Sequence, residues 1–131
     1  MGRATSELAL HYAVAELLER CALPGVIHWH TNNSSDNPRH GAKMKRMGVK
    51  PGVADFVVLT PGIKAPSFLE LKSKTGRLSE PQLQFGLEVK LLGCRYEIAR
   101  TLDEAAEFLT DIGAIRSVNP SISANKLVRT V

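Results

Sequence analysis

Residues 54–73 read as a single β-hairpin, and its pairing dictates what the rest of the chain has to be built around. The runs ADFVVLT and APSFLELKS have the Val, Leu and Phe content of strands, and PGIK between them is a turn sequence. With the turn placed at residues 61–64, Thr60 faces Ala65 and, counting outward, Asp55 falls opposite Glu70. Opposed residues share a face of the sheet, and Lys72, two positions beyond Glu70, joins them there. Two carboxylates and a lysine thus converge at one end of otherwise apolar strands. Each unpaired ion in such a setting costs on the order of several kcal/mol unless a cation or partner compensates it.

A Glu-x-Lys triplet alone is also what an ordinary surface hairpin carries. Two neighbouring features set this one apart. Asp55 is approached through GVKPGVAD, where Gly48, Pro51 and Gly52 hold the chain close to the strand entrance. Beyond Lys72, GRLSEPQ turns straight into a helix.

The pair of segments GVKPGVADFVVL and FLELKSKTGRLSEPQ resembles the VRR-NUC branch of the PD-(D/E)xK nuclease superfamily, over about residues 5–110. In that pattern Asp55 matches the acid after the Gly-Pro-Gly approach, Glu70 and Lys72 match E-x-K, and Gln82 matches the glutamine of L-S-x-x-Q. Glu7 matches an early helical glutamate. Two departures stand out. Glu80-Pro81 reverses the usual order but leaves Gln82 in register, and Ala54 stands where the family more often has proline.

The resemblance implies an α/β fold with a restriction-endonuclease-like core, its mixed central sheet flanked by helices. The expected order is helix, three strands, helix, strand, helix. It further implies a metal-dependent, structure-selective DNA endonuclease of the stand-alone phage or bacterial type, acting as a homodimer on branched DNA such as Holliday junctions. Asp55 and Glu70 are hard oxygen ligands suited to Mg²⁺ or Mn²⁺. The family pattern adds the backbone carbonyl of Leu71 and the carboxylate of Glu7. Lys72 would orient the attacking water or stabilise charge on phosphate. A twofold dimer also suits a symmetric four-way junction, which needs two cuts.

Residues 5–20 carry a helical period, with Leu8, Tyr12, Ala15 and Leu18 beside Leu10, Val14 and Leu17 forming a broad apolar face. Thr5 or Ser6 caps it. That puts Glu7 in the first turn, where the helix dipole alone would explain an acid. VIHWHT is a strand with His28 and His30 on one face. No Cys or third His follows at ligand spacing, so no zinc site is expected, and Trp29 is read as core or rim packing.

Residues 32–52 change to a long loop rich in Asn, Ser, Pro and Gly, with a short helical turn over 39–47 as an alternative. Arg39, His40, Lys43, Lys45, Arg46 and Lys50 crowd there against Asp36 alone. Such a run is solvated surface by default. Its direct lead into Asp55 favours contact with DNA phosphates, and Lys74 is grouped with it.

Ser79 and Gln82 spell a capping box opening a helix through Leu83, Phe85, Leu87 and Leu91 to Gly93. Gln82 is therefore asked both to close the box and to meet Lys72 or phosphate. CRYEIA is a strand beside the hairpin. Thr101 to Glu104 is a second capping box, with Leu102, Ala105, Ala106 and Leu109 expected inside. After Gly113 the chain turns polar, its Ile115, Val118, Ile122, Leu127 and Val128 having no evident core to join. Residues 1–116 are expected to be the domain, and 117–131 a tail that is either disordered or a dimer arm.

A chain of 131 residues with 44% apolar and 23% charged residues fits one globular domain. A formal charge of +4 is compatible with a polyanionic partner. No run approaches the ~20 apolar residues of a membrane span, and no signal-peptide pattern is seen. The expected location is therefore the cytoplasm of a bacterium or phage-infected cell. Cys21 and Cys94 are isolated and read as packing thiols. Two rival functions remain: a monomeric nicking or flap nuclease, and a catalytically silent DNA-binding module. The intact Asp55, Glu70 and Lys72 speak against silence.

Overall fold

The computed structural model describes residues 6–31 and 38–117. Along them run α1 (Glu7–Cys21), β1 (Ile27–His30), α2 (Pro38–Arg46), β2 (Phe56–Leu59), β3 (Ser67–Leu71), α3 (Glu80–Leu91), β4 (Arg95–Ala99) and α4 (Leu102–Asp111). The hairpin pairs in the register expected from its turn, with Phe56 opposite Leu69, Val57 opposite Phe68 and Val58 opposite Ser67. The ladder stops there, so the connection is longer than four residues. Pro66 has no N–H to continue the pairing. Inside the connection Ile63 N–H closes a β-turn on the Thr60 carbonyl at 3.1 Å, with Pro61 and Gly62 at its centre.

Among the described residues the sheet has four strands, in the order β1-β2-β3-β4. β1 pairs antiparallel with β2, from Ile27–Leu59 to His30–Phe56. β4 runs parallel to β3 after the α3 crossover, so the sheet is mixed. Alternation divides it into two faces. Phe56, Val58, Leu69, Leu71 and Ala99 pack on one side against Leu10, Val14 and Leu18 of α1 and Ala105, Phe108 and Leu109 of α4. On the other side Phe68 and Tyr96 meet Phe85 and Val89 of α3, together with Ala54. Three layers result, helices on both faces of one sheet. Each fully buried Leu, Val or Phe contributes about 1.5–3 kcal/mol.

Several expectations are corrected here. α1 buries only the narrow row Leu10, Val14 and Leu18, while Leu8 and Tyr12 are exposed. The same sheet face also has to seat α4, which leaves α1 room for one stripe. On α3, Phe85, Gly86 and Val89 face inward, whereas Leu83, Leu87 and Leu91 are exposed. The cause is a close approach. A Cβ on Gly86 would lie 2.9 Å from the Tyr96 ring, so this side of the helix is the one that can descend onto the sheet. Leu102, in the first turn of α4, is likewise exposed.

Of the two readings for this stretch, loop or short helical turn over 39–47, the structure has the helical one, a nine-residue helix α2 over Pro38–Arg46. It begins at a proline, which has no orphan N–H at a helix start. It ends in a Schellman motif at Gly48 (φ 94°), where Val49 N–H bonds the Met44 carbonyl at 2.9 Å and Gly48 N–H bonds that of Lys45 at 3.0 Å. The order therefore holds one helix more than expected.

Ile115 does have a core to join. It is 2% exposed and bridges to Ala22, while Leu23 N–H bonds the Ala114 carbonyl at 2.9 Å. Val118, Ile122, Leu127 and Val128 lie outside the described residues. Trp29 is half exposed at the sheet edge, and both cysteines are free and partly buried.

Candidate active site

Antiparallel pairing brings the entrance of β2 and the exit of β3 to the same end of the sheet, which sets Asp55 beside Glu70. Asp55 is held from several directions. Its Oδ2 accepts the Leu71 N–H at 2.7 Å. Its carbonyl accepts Thr31 N–H at 2.8 Å, and the Thr31 hydroxyl donates to the carbonyl of Ala54. The approach loop lies against the first turn of α3. At Gly52 (φ 81°) a Cβ would fall 2.3 Å from the Pro81 backbone, so only glycine fits that contact. Between loop, sheet end, α1 and α3 opens a cleft of ≈ 560 Å³, and Glu7, Asp55, Glu70, Lys72 and Gln82 all line it.

The electrostatics are dominated by Glu70. Its side chain is 2% exposed. Burial, then the shared hydrogen bond with Asp55 and that group's charge, push the carboxyl up to about 9, against a smaller downward pull from Lys72. Glu70 Oε2 has no hydrogen-bond partner among the described residues. Lys72 Nζ lies 3.9 Å from Glu7 Oε1, and Glu7 is half exposed. At that distance and exposure the pair contributes ~0–1 kcal/mol. Glu7 also sits in the first turn of α1, where Ser6 Oγ accepts Ala9 N–H at 3.0 Å, so the dipole and the cleft both claim it. Below the site the Tyr96 hydroxyl is buried without a partner among the described residues. Burial, then the charges of Glu70 and Asp55, push it up to about 12.

Gln82 closes its capping box, accepting Ser79 N–H on Oε1 at 2.8 Å. Its oxygen is engaged, and Nε2 is the part of the amide left to offer the cleft. The second capping box is one residue out of step. Thr101 Oγ1 accepts Glu104 N–H at 3.1 Å, but Glu104 Oε1 reaches back to Arg100 N–H instead, at 2.7 Å. The Arg100 guanidinium in turn donates to the carbonyls of Ser73 (2.8 Å) and Gly76 (2.7 Å), fixing the turn that follows Lys72.

Two residues at the site were not expected. His11 Nε2 lies 3.1 Å from His30 Nδ1, which lies 2.8 Å from the Asp55 carbonyl oxygen. His11, His30 and Asp55 offer ligand atoms all within 4.8 Å of one another. Burial, then the neighbouring His30, hold the His11 ring below the usual histidine range. His28, opposite Val58, lies further along the strand. The two histidines of the H-x-H pair thus do not come together; the imidazole beside His30 is that of His11, from α1. The available signal was Glu7 and His11, one helical turn apart on one face.

The cations proposed for DNA are elsewhere. Arg39, His40, Lys43, Lys45 and Arg46 are exposed on α2, Lys50 follows it with its Nζ 3.7 Å from Glu88, and Lys74 is exposed in the turn after β3. Among the described residues lining the cleft none of these occurs.

Among solved structures the chain is similar to a VRR_NUC domain protein, at 19% identity and a TM-score of 0.68, over 83% of this chain and 88% of that one. It is also similar to a VRR_NUC domain at 16% identity and a TM-score of 0.55, over 82% and 97% respectively. No family model matches the sequence, and no curated protein matches it. The likeness is one of fold: the mixed four-stranded sheet with flanking helices is that of VRR_NUC domain proteins, in agreement with the motif resemblance.

Proposed function

We propose that this chain is a metal-dependent DNA endonuclease that hydrolyses phosphodiester bonds, with branched DNA, four-way junctions included, as its substrate class. The observation that carries this reading is the pairing of a buried Glu70 with Asp55, Lys72 beside them, at the sheet end of a fold shared with VRR_NUC domain proteins. The residues fit a divalent cation. Among the described residues a buried oxygen of Glu70 has no partner, and burial beside Asp55 raises this carboxyl, a cost that a cation held by both acids would relieve. An all-oxygen set of this kind suits Mg²⁺ or Mn²⁺.

When bound, the cation supplies Lewis acidity to the phosphate and to water. Asp55 and Glu70 would hold it, with the Leu71 carbonyl and Glu7 completing the set. Lys72 places positive charge where phosphate charge develops, and Gln82 Nε2 donates to a phosphate oxygen. The cations of α2, with Lys50 and Lys74, hold the duplex by its backbone.

A homodimer is part of the proposal, because each chain offers one such cleft and a symmetric junction needs two cuts. The exposed row Leu83, Leu87 and Leu91 on α3 supports self-association. No helix among the described residues is long and apolar enough to cross a membrane, and the proposed setting is a bacterial or phage-infected cytoplasm. The test is incubation with four-way, flap and linear DNA in Mg²⁺, Mn²⁺ or EDTA, with products separated on a denaturing gel. Paired incisions in the four-way junction are expected with metal and none in EDTA. Failure to cut any of the three overturns the reading.

A further inference from the structure

We propose that His11, His30 and Asp55 form a second cation site that takes a borderline transition metal of the Zn²⁺, Co²⁺ or Ni²⁺ class. It shares Asp55 with the oxygen-lined site but goes beyond the nuclease reading and stands without it.

The geometry comes first. His11 Nε2 and His30 Nδ1 are 3.1 Å apart, and His30 Nδ1 is 2.8 Å from the Asp55 carbonyl. The carbonyl can only accept, so His30 carries its proton on Nδ1 and His11 meets the same edge with a bare nitrogen. One proton thus lies between two acceptors, the Asp55 carbonyl and His11 Nε2. Adjacent ligands on a metal with bonds of ~2.1 Å stand about 3.0–3.4 Å apart, and the nitrogens already have that spacing. A metal would replace the proton while His30 moves its own to Nε2, with the Asp55 carboxylate in reach and water in the remaining position.

The rings are also held in place. They meet edge to face at 4.2 Å, and both contact Phe56, at 4.9 Å for His11 and 5.6 Å for His30. Thr31 N–H fixes the backbone of Asp55. This limits the reorganisation on binding an ion to the tautomer change at His30 and a closer approach of the Asp55 carboxylate, which favours affinity.

Donor chemistry then separates the two sites. Imidazole nitrogen favours the later first-row metals, whereas Mg²⁺ prefers carboxylate, carbonyl and water. One aspartate therefore lies between an oxygen set toward β3 and a nitrogen set toward α1.

The experiment titrates the metal-free protein with Co²⁺ in excess Mg²⁺, reading the visible d–d absorption. One equivalent of Co²⁺ is expected to develop the band despite Mg²⁺. His11→Gln and His30→Gln should each weaken it at least about tenfold, and Glu70→Gln should retain it while losing any DNA cleavage. That contrast separates failure of this site from failure of the nuclease reading. In the unaltered protein, Co²⁺ should broaden the imidazole signals of His11 and His30 first and far more than those of His28 and His40, a readout that needs no variant to fold. Equal Co²⁺ binding by the two histidine variants and the parent overturns the proposal. So does a band abolished by Mg²⁺ or by Glu70→Gln, or sparing of both ring signals.

Discussion

Asp55 and Glu70 stand side by side at the end of the β2–β3 ladder, yet only Asp55 is anchored by a backbone amide. Leu71 N–H meets Asp55 Oδ2 at 2.7 Å, while Glu70 Oε2 is buried with no partner among the described residues. The asymmetry makes Asp55 the fixed member of the pair and Glu70 the one whose charge depends on what else enters the cleft.

Removing either acid should abolish metal-dependent cleavage. Asp55→Ala and Glu70→Ala are expected to cost at least about a hundredfold in rate while leaving DNA binding intact. Lys72→Ala should lose turnover but still bind metal by calorimetry. A Glu70→Ala variant that cuts at the parent rate would show that the metal site has been misplaced.

The metal-free protein should lose stability as pH rises. Glu70 keeps its proton up to about 9 in the fold, against an ordinary value of 4.5. Between those values the folded state binds more protons than the unfolded one, so the unfolding free energy falls with rising pH. The expected loss is on the order of a few kcal/mol, seen in urea melts across that window. Glu70→Gln should remove the slope. A parent protein equally stable at both ends of the window would contradict the raised carboxyl.

Phosphate contact by α2 is testable through salt. Replacing Lys43, Lys45 and Arg46 together should weaken DNA binding and reduce the slope of log affinity against log salt by roughly one unit per lost contact. An unchanged slope returns these cations to the solvated surface.

Light scattering on the full chain should give a dimer mass at micromolar concentration. A chain ending at Ser117 that stays dimeric, together with a monomeric Leu87→Glu variant, would place the interface on α3. Loss of the dimer on truncation would place it in the tail. A monomeric full chain removes the paired-cut proposal.

What could be read from the sequence was what depends on near neighbours. Strand alternation and the turn set the pairing of Phe56 with Leu69, and the capping box at Ser79 marked where α3 begins. What escaped was decided by contacts distant in sequence. The side of α3 that faces the sheet depends on Tyr96 fitting under Gly86, which no helical period records, so the leucines were assigned inward. His11 and His30 meet only because α1 crosses the end of an edge strand. Ile115 found its core through a bridge to Ala22, far back in the chain. α2 was obscured by Asn, Pro and Gly around it, although Pro38 and Gly48 turn out to bound the helix.

The Arg100 clamp bears on how the molecule would meet DNA. Its guanidinium is engaged by backbone carbonyls, and Arg20 and Arg95 are matched by Glu16 and Asp111 at 2.9 and 2.7 Å. The overall +4 is therefore spread unevenly. α2 has no acid in its first turn and carries Lys43, Lys45 and Arg46 in its last. A cationic helix of this kind adds a directional component to the field, and such components rotate a molecule during diffusion. A polyanion would draw this protein in with α2 leading, so that orientation is chosen before first contact.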